Sequence, residues 1–361
     1  MSLSDNKNAK IYVAGHRGLV GSAIWNNLKS KGYTNLVGRT HQELDLTDSV
    51  AVEKFFDEEK PEYVILAAAH VGGIQANFKY RADFIYINLA IEVNVIGASY
   101  RHHVKKLLFL GSTCIYPREC PQPMKEDVLL TSALEYTNEP YALSKIAGLN
   151  MCESFNIQYN TNYIAVMPTN LYGPNDNFNL ETSHVLPALI RKIYLGKQLE
   201  DSNWDEIKRD LNKRPIEGVT GNDSQEAILE KLAKYGVTKG KVEIWGTGKP
   251  LREFLWSEEM ADACVYIMER VDFKDTYEPG TKNIRNCHIN IGTGKEISIA
   301  GVSNLIKEKV GFKGELYFNP SKPDGTMKKL TDVSKLHKLG WTHKIEIDEG
   351  VERLLQWYST H

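Results

Sequence analysis

The stretch "KIYVAGHRGLVGSAIWNNLKSKG", residues 10–32, carries the reading of the fold. Its first part, "KIYVAG", is a short β-branched and apolar run that reads as a strand, and "GSAIWNNLKSKG" reads as an amphipathic helix. Between them Gly15, Gly18 and Gly21 form a GxxGxxG turn. Glycine is required where a backbone turns tightly, where it approaches a pyrophosphate, and where a helix packs closely on a strand. The helix that opens there offers unpaired N–H groups to phosphate. Taken alone, such a glycine turn fits a ligand-free loop as well. Placed between a buried strand and a helix, it predicts a dinucleotide-binding loop.

The first half of the chain keeps alternating. "NLVGRT" reads as a strand, "SVAVEKFFDEEK" as a helix and "YVILAAA" as a strand. A long helical stretch through "FIYINLAIEVNVIGASYRHH" follows, then the strand "KLLFLG", a helix containing "YALSKIAGLNMCESFNIQY", and the strand "YIAVMPTN". Strands apolar on both faces, separated by helices, predict a doubly wound parallel α/β sheet of the Rossmann type. After about residue 175 irregular segments rich in Asn, Pro and Gly surround isolated helices, "SHVLPALIRKIYLG" and "IAGVSNLIKEKVG". The expected division is a dinucleotide-binding domain over 1–175, with a return segment near 250–275, and a smaller substrate domain over 176–361. The charged stretch 197–240 stands out as an insertion with at most two short helices, read as a peripheral decoration.

Composition excludes several classes. The chain has 361 residues, 42% of them hydrophobic and 25% charged, and a formal charge of −2, which offers no broad attraction for nucleic acid or an anionic membrane. Any phosphate must therefore be held locally. The five cysteines, at 114, 120, 152, 264 and 287, show no CxxC spacing and are odd in number, which argues against a disulfide framework or a zinc site, and no metal ligand set is expected. The polar start "MSLSDNKNAK" lacks an apolar signal core, and runs such as "YVILAAA" are far too short to span a membrane. A reduced, cytoplasmic protein is expected.

Three features point to chemistry. The second strand ends "LVGRTHQE", with Arg39 and His41 but no early carboxylate, and Arg17 lies in the glycine loop. Guanidinium groups match a 2′-phosphate in a bidentate fork, so NADP (as NADPH) is favoured over NAD, although Arg39 can also simply cover the adenine face. "YALSK" sets Tyr141 and Lys145 one helical turn apart. A tyrosine hydroxyl, with a pKa of about 10, is a poor acid–base at neutrality, and a neighbouring ammonium is expected to lower it. Ser112, at the carboxyl end of the strand "KLLFL", can hydrogen-bond the same carbonyl oxygen. Tyrosine and lysine at this spacing also occur as a solvated pair. The glycine loop and the serine, in order, argue for hydride transfer.

The order GxxGxxG, Ser112, Tyr141, Lys145 resembles the extended short-chain dehydrogenase/reductase family. Seven blocks, "AGHRGLVGSAI", "GSTCIYP", "NEPYALSKIAG", "VMPTNLYGPNDNF", "SHVLPALIRK", "WGTGKPLREFL" and "SKPDGT", are similar to its GDP-L-fucose synthase branch, from about residue 9 to 358. The resemblance implies NADPH-dependent reduction of the C4 ketone of a GDP-linked 4-keto-deoxy sugar, coupled to epimerisation at C3 and/or C5. It implies a cofactor set of Gly15, Arg17, Gly18, Leu19, Val20, Gly21, Arg39, His41, Ala67, Ala68, Lys145, Pro168, Asn170 and Leu171. It also implies substrate contacts at Asn170, Lys192, Trp245, Arg252 and Asp324, and a homodimer.

Within this frame Cys114 and His184 change meaning. A buried cysteine is ordinarily a packing residue and a histidine at a helix start a capping or polar-core one. The resemblance makes them the epimerisation acid–base pair. Hydrogens beside a ketone are acidic because the carbanion is delocalised as an enolate, and inversion requires a base on one face and an acid on the other. Thiol and imidazole exchange protons readily near neutrality.

Two departures from the branch are His41, where a second arginine is common, and Trp256, where the block after "REFL" usually begins with histidine. The first leaves the 2′-phosphate to Arg17 and Arg39; the second, together with the insertion, opens an alternative substrate, a GDP-4-keto-heptose. A 4,6-dehydratase would be expected to carry an acidic pair beside the active-site Ser/Thr, yet no carboxylate precedes Glu119 here. A non-catalytic dinucleotide-sensing regulator is disfavoured by the intact Ser112, Tyr141 and Lys145.

Overall fold

A computed structural model describes residues 3–361. In chain order β1 (Ile11–Ala14), α1 (Leu19–Ser30), β2 (Leu36–Val37), α2 (Ser49–Glu59), β3 (Tyr63–Leu66), α3 (Ile74–Lys79), α4 (Arg81–Arg101), β4 (Lys106–Leu110), α5 (Glu139–Tyr159), β5 (Tyr163–Pro168) and β6 (Asn170–Tyr172) come first. There follow α6 (Val185–Glu200), α7 (Trp204–Lys213), α8 (Gln225–Lys234), β7 (Val237–Thr238), β8 (Lys241–Trp245) and β9 (Leu251–Arg252). The chain continues with β10 (Phe254–Trp256), α9 (Ser257–Arg270), β11 (Ile289–Ile291), β12 (Ile297–Ser298), α10 (Ile299–Val310), β13 (Glu315–Asn319), α11 (Ser334–Lys338) and α12 (Ile347–Thr360).

Two compact units result, one of Met1–Gly173, Glu253–Lys295 and Leu330–Ile345, the other of Pro174–Arg252, Glu296–Lys329 and Glu346–His361. The first unit holds a six-stranded sheet in the order β11-β5-β4-β3-β1-β2 with every pairing parallel. Strand β1 shows why the layers form. Ile11 and Val13 join a core with α1 and α9, whereas Tyr12 and Ala14 join one with α2, α4 and α5. Side chains alternate across a strand, so a strand apolar at every position must be covered on both faces. The doubly wound expectation therefore holds. A one-residue slip from the register Ile11↔Tyr63 to Ala14↔Leu66 would exchange the two cores.

Strand β2 is only two residues long, less than "NLVGRT" suggests, because as an edge strand it pairs on one side alone. Helix starts follow the local chemistry. Asp48 caps α2 by accepting from the N–H groups of Val50 and Ala51, Ser298 caps α10, and Gly311 closes α10 at φ +77°. Strands β1 and β3 are neighbours whose connections leave in opposite directions, so a crevice opens beyond their carboxyl ends, the usual place for a ligand in such sheets.

In the second unit, β13, β8 and β7 form a small sheet packed with α6. The 197–240 segment is not a loose decoration. Ile207, Leu211, Ile216, Ile228, Leu232 and Val237 build a core with Leu195 and Leu199 of α6. Asp210 of α7 takes two hydrogen bonds, at 3.0 and 2.8 Å, from Arg191 of α6, a guanidinium with no exposed surface, and a third from Tyr358 of α12.

Candidate active site

The glycine loop joins the carboxyl end of β1 to α1. Gly15 has φ +81°, and a Cβ there would lie 2.8 Å from the backbone nitrogen of Ala68. Gly21 lies so close to the loop that its Cβ would fall 2.0 Å from the carbonyl oxygen of Gly15. At Gly18, by contrast, a Cβ would touch only that oxygen, at 3.5 Å, and the glycine is exposed. Gly18 is the N-cap of α1 and no side chain caps this end, so the first N–H groups of the helix face outward with Leu19 and Val20. An uncapped 12-residue helix after a buried strand, with one open glycine, fits a pyrophosphate. Ala67 and Ala68 follow β3, half-buried beside Gly15.

The arginines differ from one another. Arg17 is exposed on the loop. Arg39 is anchored by Glu59, whose carboxylate lies 2.5 Å away, and its guanidinium lies 5.6 Å from the Phe55 ring centre. His41 is largely exposed, 3.8 Å from Asp45. Glu43 caps Thr40 and is held below the usual carboxylate range chiefly by those hydrogen bonds, with Arg17 and Arg39 adding attraction.

The candidate catalytic residues of the first unit lie on the turn after β4 and near the start of α5. The chain leaves the strand at Gly111 and makes a single 3-10 turn, Thr113–Ile115, in which the Ser112 hydroxyl accepts the N–H of Cys114 at 3.2 Å. A hydroxyl has one proton and two lone pairs, so accepting here leaves the proton of Ser112 to donate elsewhere. Tyr116 fixes the exit of the turn by hydrogen bonds to Asn290, at 2.5 Å, and His288, at 3.0 Å. Cys114 is buried at 7% exposure, and its sulfur lies near enough to Tyr141 to disfavour the phenolate.

Tyr141 and Lys145 stand one turn apart near the start of α5, with the ammonium 5.7 Å from the tyrosine ring centre and 4.9 Å from that of Phe109. The expected lowering of the tyrosine does not occur. Burial pushes the Tyr141 hydroxyl well above its ordinary range, and Cys114 and Glu92 add to the rise. The charge of Lys145 is directed to Glu92 of α4, whose carboxylate is 3.1 Å away, both side chains being almost wholly buried. Sequence reasoning missed Glu92. Its signal was a lone carboxylate on the buried stripe of α4 that includes Phe84, Asn88, Ile91, Val95, Ile96 and Ser99.

Pro168 ends β5, and Asn170 and Leu171 begin β6, which pairs with β10. The Asn170 amide donates to the carbonyl of Glu253 at 2.9 Å. Glu253 has no exposed surface and accepts the N–H groups of Thr293, Gly294 and Thr331. Trp256 is buried, edge-on to Tyr172 with ring centres 5.4 Å apart, and donates to Glu258. It fills core space.

The remaining candidates belong to the second unit. His184 is the N-cap of α6, and desolvation lowers the proton affinity of its imidazole. Lys192 lies two turns further on and donates to the carbonyl of Glu243 at 2.6 Å; burial lowers its ammonium to about 8. Trp245, at the end of β8, is 49% exposed with Lys322 5.3 Å from its ring centre, so it is not a packing tryptophan. Arg252 donates to the carbonyls of Leu251 and Thr326. Asp324 closes the "WGTG" turn, accepting from the N–H and hydroxyl of Thr247, with Gly246 at φ +79° against it.

The chain is similar to known proteins along nearly its whole length. GDP-L-fucose synthase 1 of Arabidopsis thaliana is 49% identical over 357 residues, 99% of this chain and 95% of that protein. A GDP-6-OMe-4-keto-L-xylo-heptose reductase from Campylobacter jejuni superposes with a TM-score of 0.92 at 48% identity, covering 98% of this chain and 99% of that one. MlghC, a GDP-mannoheptose C4 reductase from the same organism with NADP bound, gives 0.86 at 47% identity and the same coverage. Residues 11–212 and 216–292 match the NAD dependent epimerase/dehydratase family, and the chain belongs to it.

Proposed function

We propose that the chain reduces the C4 ketone of a GDP-4-keto-deoxy sugar with NADPH and, through Cys114 and His184, inverts C3 and/or C5 of the same sugar. The observation that carries the reading is the turn after β4, in which Ser112 accepts from Cys114 and which packs against α5, with Cys114 close enough to Tyr141 to disfavour its phenolate. Full-length similarity to GDP-L-fucose synthases, and to a reductase solved with NADP, supports it.

Bound NADPH would supply the hydride to C4 of the sugar. The hydroxyls of Ser112 and Tyr141 hold the carbonyl oxygen, and Tyr141 gives its proton to the alkoxide. A tyrosine held well above its ordinary range is fully protonated at neutrality, the form a reduction consumes. The same two donors stabilise the enolate oxygen while Cys114 and His184 remove and return a proton at carbon. Desolvation keeps His184 neutral near pH 7, so it can accept one. Lys145 and Asn170 would hold the nicotinamide side of the cofactor, Arg17 and Arg39 its 2′-phosphate, and Lys192, Trp245, Arg252 and Asp324 the GDP moiety.

A GDP-4-keto-heptose is the second reading, favoured by the Campylobacter heptose reductases at 47–48% identity. We also infer a homodimer through α4 and α5. Tyr86 and Val93 of α4, a heptad apart, and Leu143 of α5 leave apolar surface exposed, and the neighbouring helices together offer it to a second copy. Incubation with NADPH and a panel of GDP-4-keto hexoses and heptoses, with products assigned by NMR, tests the function. Reduction at C4 of one class is expected; no NADPH oxidation with any member would refute it.

A further inference from the structure

We propose that Glu92 is a positioning residue of the reduction: from the buried face of α4 it draws the Lys145 ammonium to itself and balances its charge, so that Tyr141 retains its proton until the alkoxide takes it. The proposal rests on the reductase reading above.

Three observations carry it. The Glu92 carboxylate lies 3.1 Å from the ammonium, with side-chain exposures of 1% and 2%, so water does not screen the pair. The ammonium is 5.7 Å from the ring centre of Tyr141. Helices α4 and α5 meet over Gly148, where a Cβ would lie 2.8 Å from a Glu92 oxygen and 2.5 Å from the Phe109 ring, so only glycine leaves room for the carboxylate. A buried carboxylate facing the catalytic lysine through a glycine notch is expensive to maintain.

The other groups facing this pair are few. From α5 they are Tyr141 and Cys152, the latter pushed up by burial and by Glu92. From the turn after β4, Cys114 faces Tyr141, while Phe109 of β4 gives an uncharged wall. Burial raises Glu92 to about 7, with Lys145 opposing the rise. In the alkaline range where a buried tyrosine titrates, Glu92 is thus ionised and acts against the phenolate. A proton given by Tyr141 to the alkoxide leaves a phenolate, which regains a proton from water before the next turnover.

The test reads Tyr141 directly in ligand-free protein, by NMR titration of tyrosine labelled with carbon-13 at Cζ, with Tyr141→Phe assigning the signal. In Glu92→Gln the titration midpoint of Tyr141 should fall by about 1–3 pH units, the range expected when a nearby charge is removed. The basic limb of kcat for reduction should move the same way, with KM for NADPH changed far less. Glu92→Asp, which keeps the charge but withdraws it, should give a smaller shift in the same direction and covers the case where the amide variant does not fold. An unchanged Tyr141 midpoint in a folded variant would overturn the proposal, even if thermal stability fell. Failure to reduce any GDP-4-keto sugar would refute the function instead and leave the titration standing.

Discussion

Replacing Gly21 by alanine sets apart the two tasks of the glycine loop. The new Cβ would lie 2.0 Å from the carbonyl oxygen of Gly15 and 2.7 Å from its carbon, against an ordinary contact of 3.4 Å or more. The loop must retreat by about 1 Å or more, which a close-packed interior resists. Gly15 is itself flush against the Ala68 backbone and has little room to move. Overpacking of this kind costs about 1–3 kcal/mol, of which alanine's better helix propensity returns at most about 1 kcal/mol. For a unit of this size each kcal/mol lowers Tm by about 2–4 °C. Gly18→Ala provides the contrast, since its Cβ meets one atom at 3.5 Å and its φ of −75° suits any residue. Thermal unfolding and NADPH titration by calorimetry should therefore diverge. Gly21→Ala should lower Tm by several degrees and weaken NADPH binding. Gly18→Ala should keep Tm within about 1 °C, a surface-type change, yet bind NADPH about tenfold or more weakly, some 1.4 kcal/mol. Parental NADPH affinity in Gly18→Ala, or parental Tm in Gly21→Ala, would refute the reasoning.

Other substitutions probe the remaining groups. Lys145→Met should weaken NADPH binding and slow reduction, by about 10²-fold or more if Tyr141 loses its acid–base role; normal turnover would remove Lys145 from the site. Asp210→Ala leaves the wholly buried Arg191 without its carboxylate and should destabilise the second unit by about 3–5 kcal/mol in urea denaturation, whereas a loss under 1 kcal/mol would show the network is dispensable. Tyr86→Asp combined with Val93→Asp should convert a dimer to a monomer in light scattering, and an unchanged mass would place the interface elsewhere.

The sheet was legible because its rules are local. Strand β1 is apolar at all four positions, the glycines fall in the turn that needs them, and Tyr141 and Lys145 share a helix face by spacing alone. What stayed hidden depends on partners remote in sequence. Glu253 ties Thr293, Gly294 and Thr331 to β6 and so draws late segments back to the first unit, a relation no local period encodes. The 197–240 segment reads as polar surface, yet Ile207 and Leu211 of α7 and Ile228 and Leu232 of α8, each pair four apart, join one core with α6, and Asp210 answers an arginine nineteen positions earlier. Glu92 was visible as a charge on an apolar helix but had no meaning until Lys145 was found opposite it. The tyrosine shifted upward because burial outweighs a cation already engaged elsewhere.

On the proposed function, one polarised ketone is both epimerised and reduced. This is tested most directly by running the reaction in deuterium oxide with NADPH and a GDP-4-keto-deoxy sugar, in the parent and in Cys114→Ser, and locating deuterium in the product by NMR. The account predicts a product with protium at C4, delivered as hydride, and deuterium at C3 and/or C5 in the parent. It predicts loss of that deuterium in Cys114→Ser, with C4 reduction of an already epimerised sugar retained. A parent product reduced at C4 without deuterium at either carbon, or a Cys114→Ser variant that exchanges at the parental rate, would contradict it.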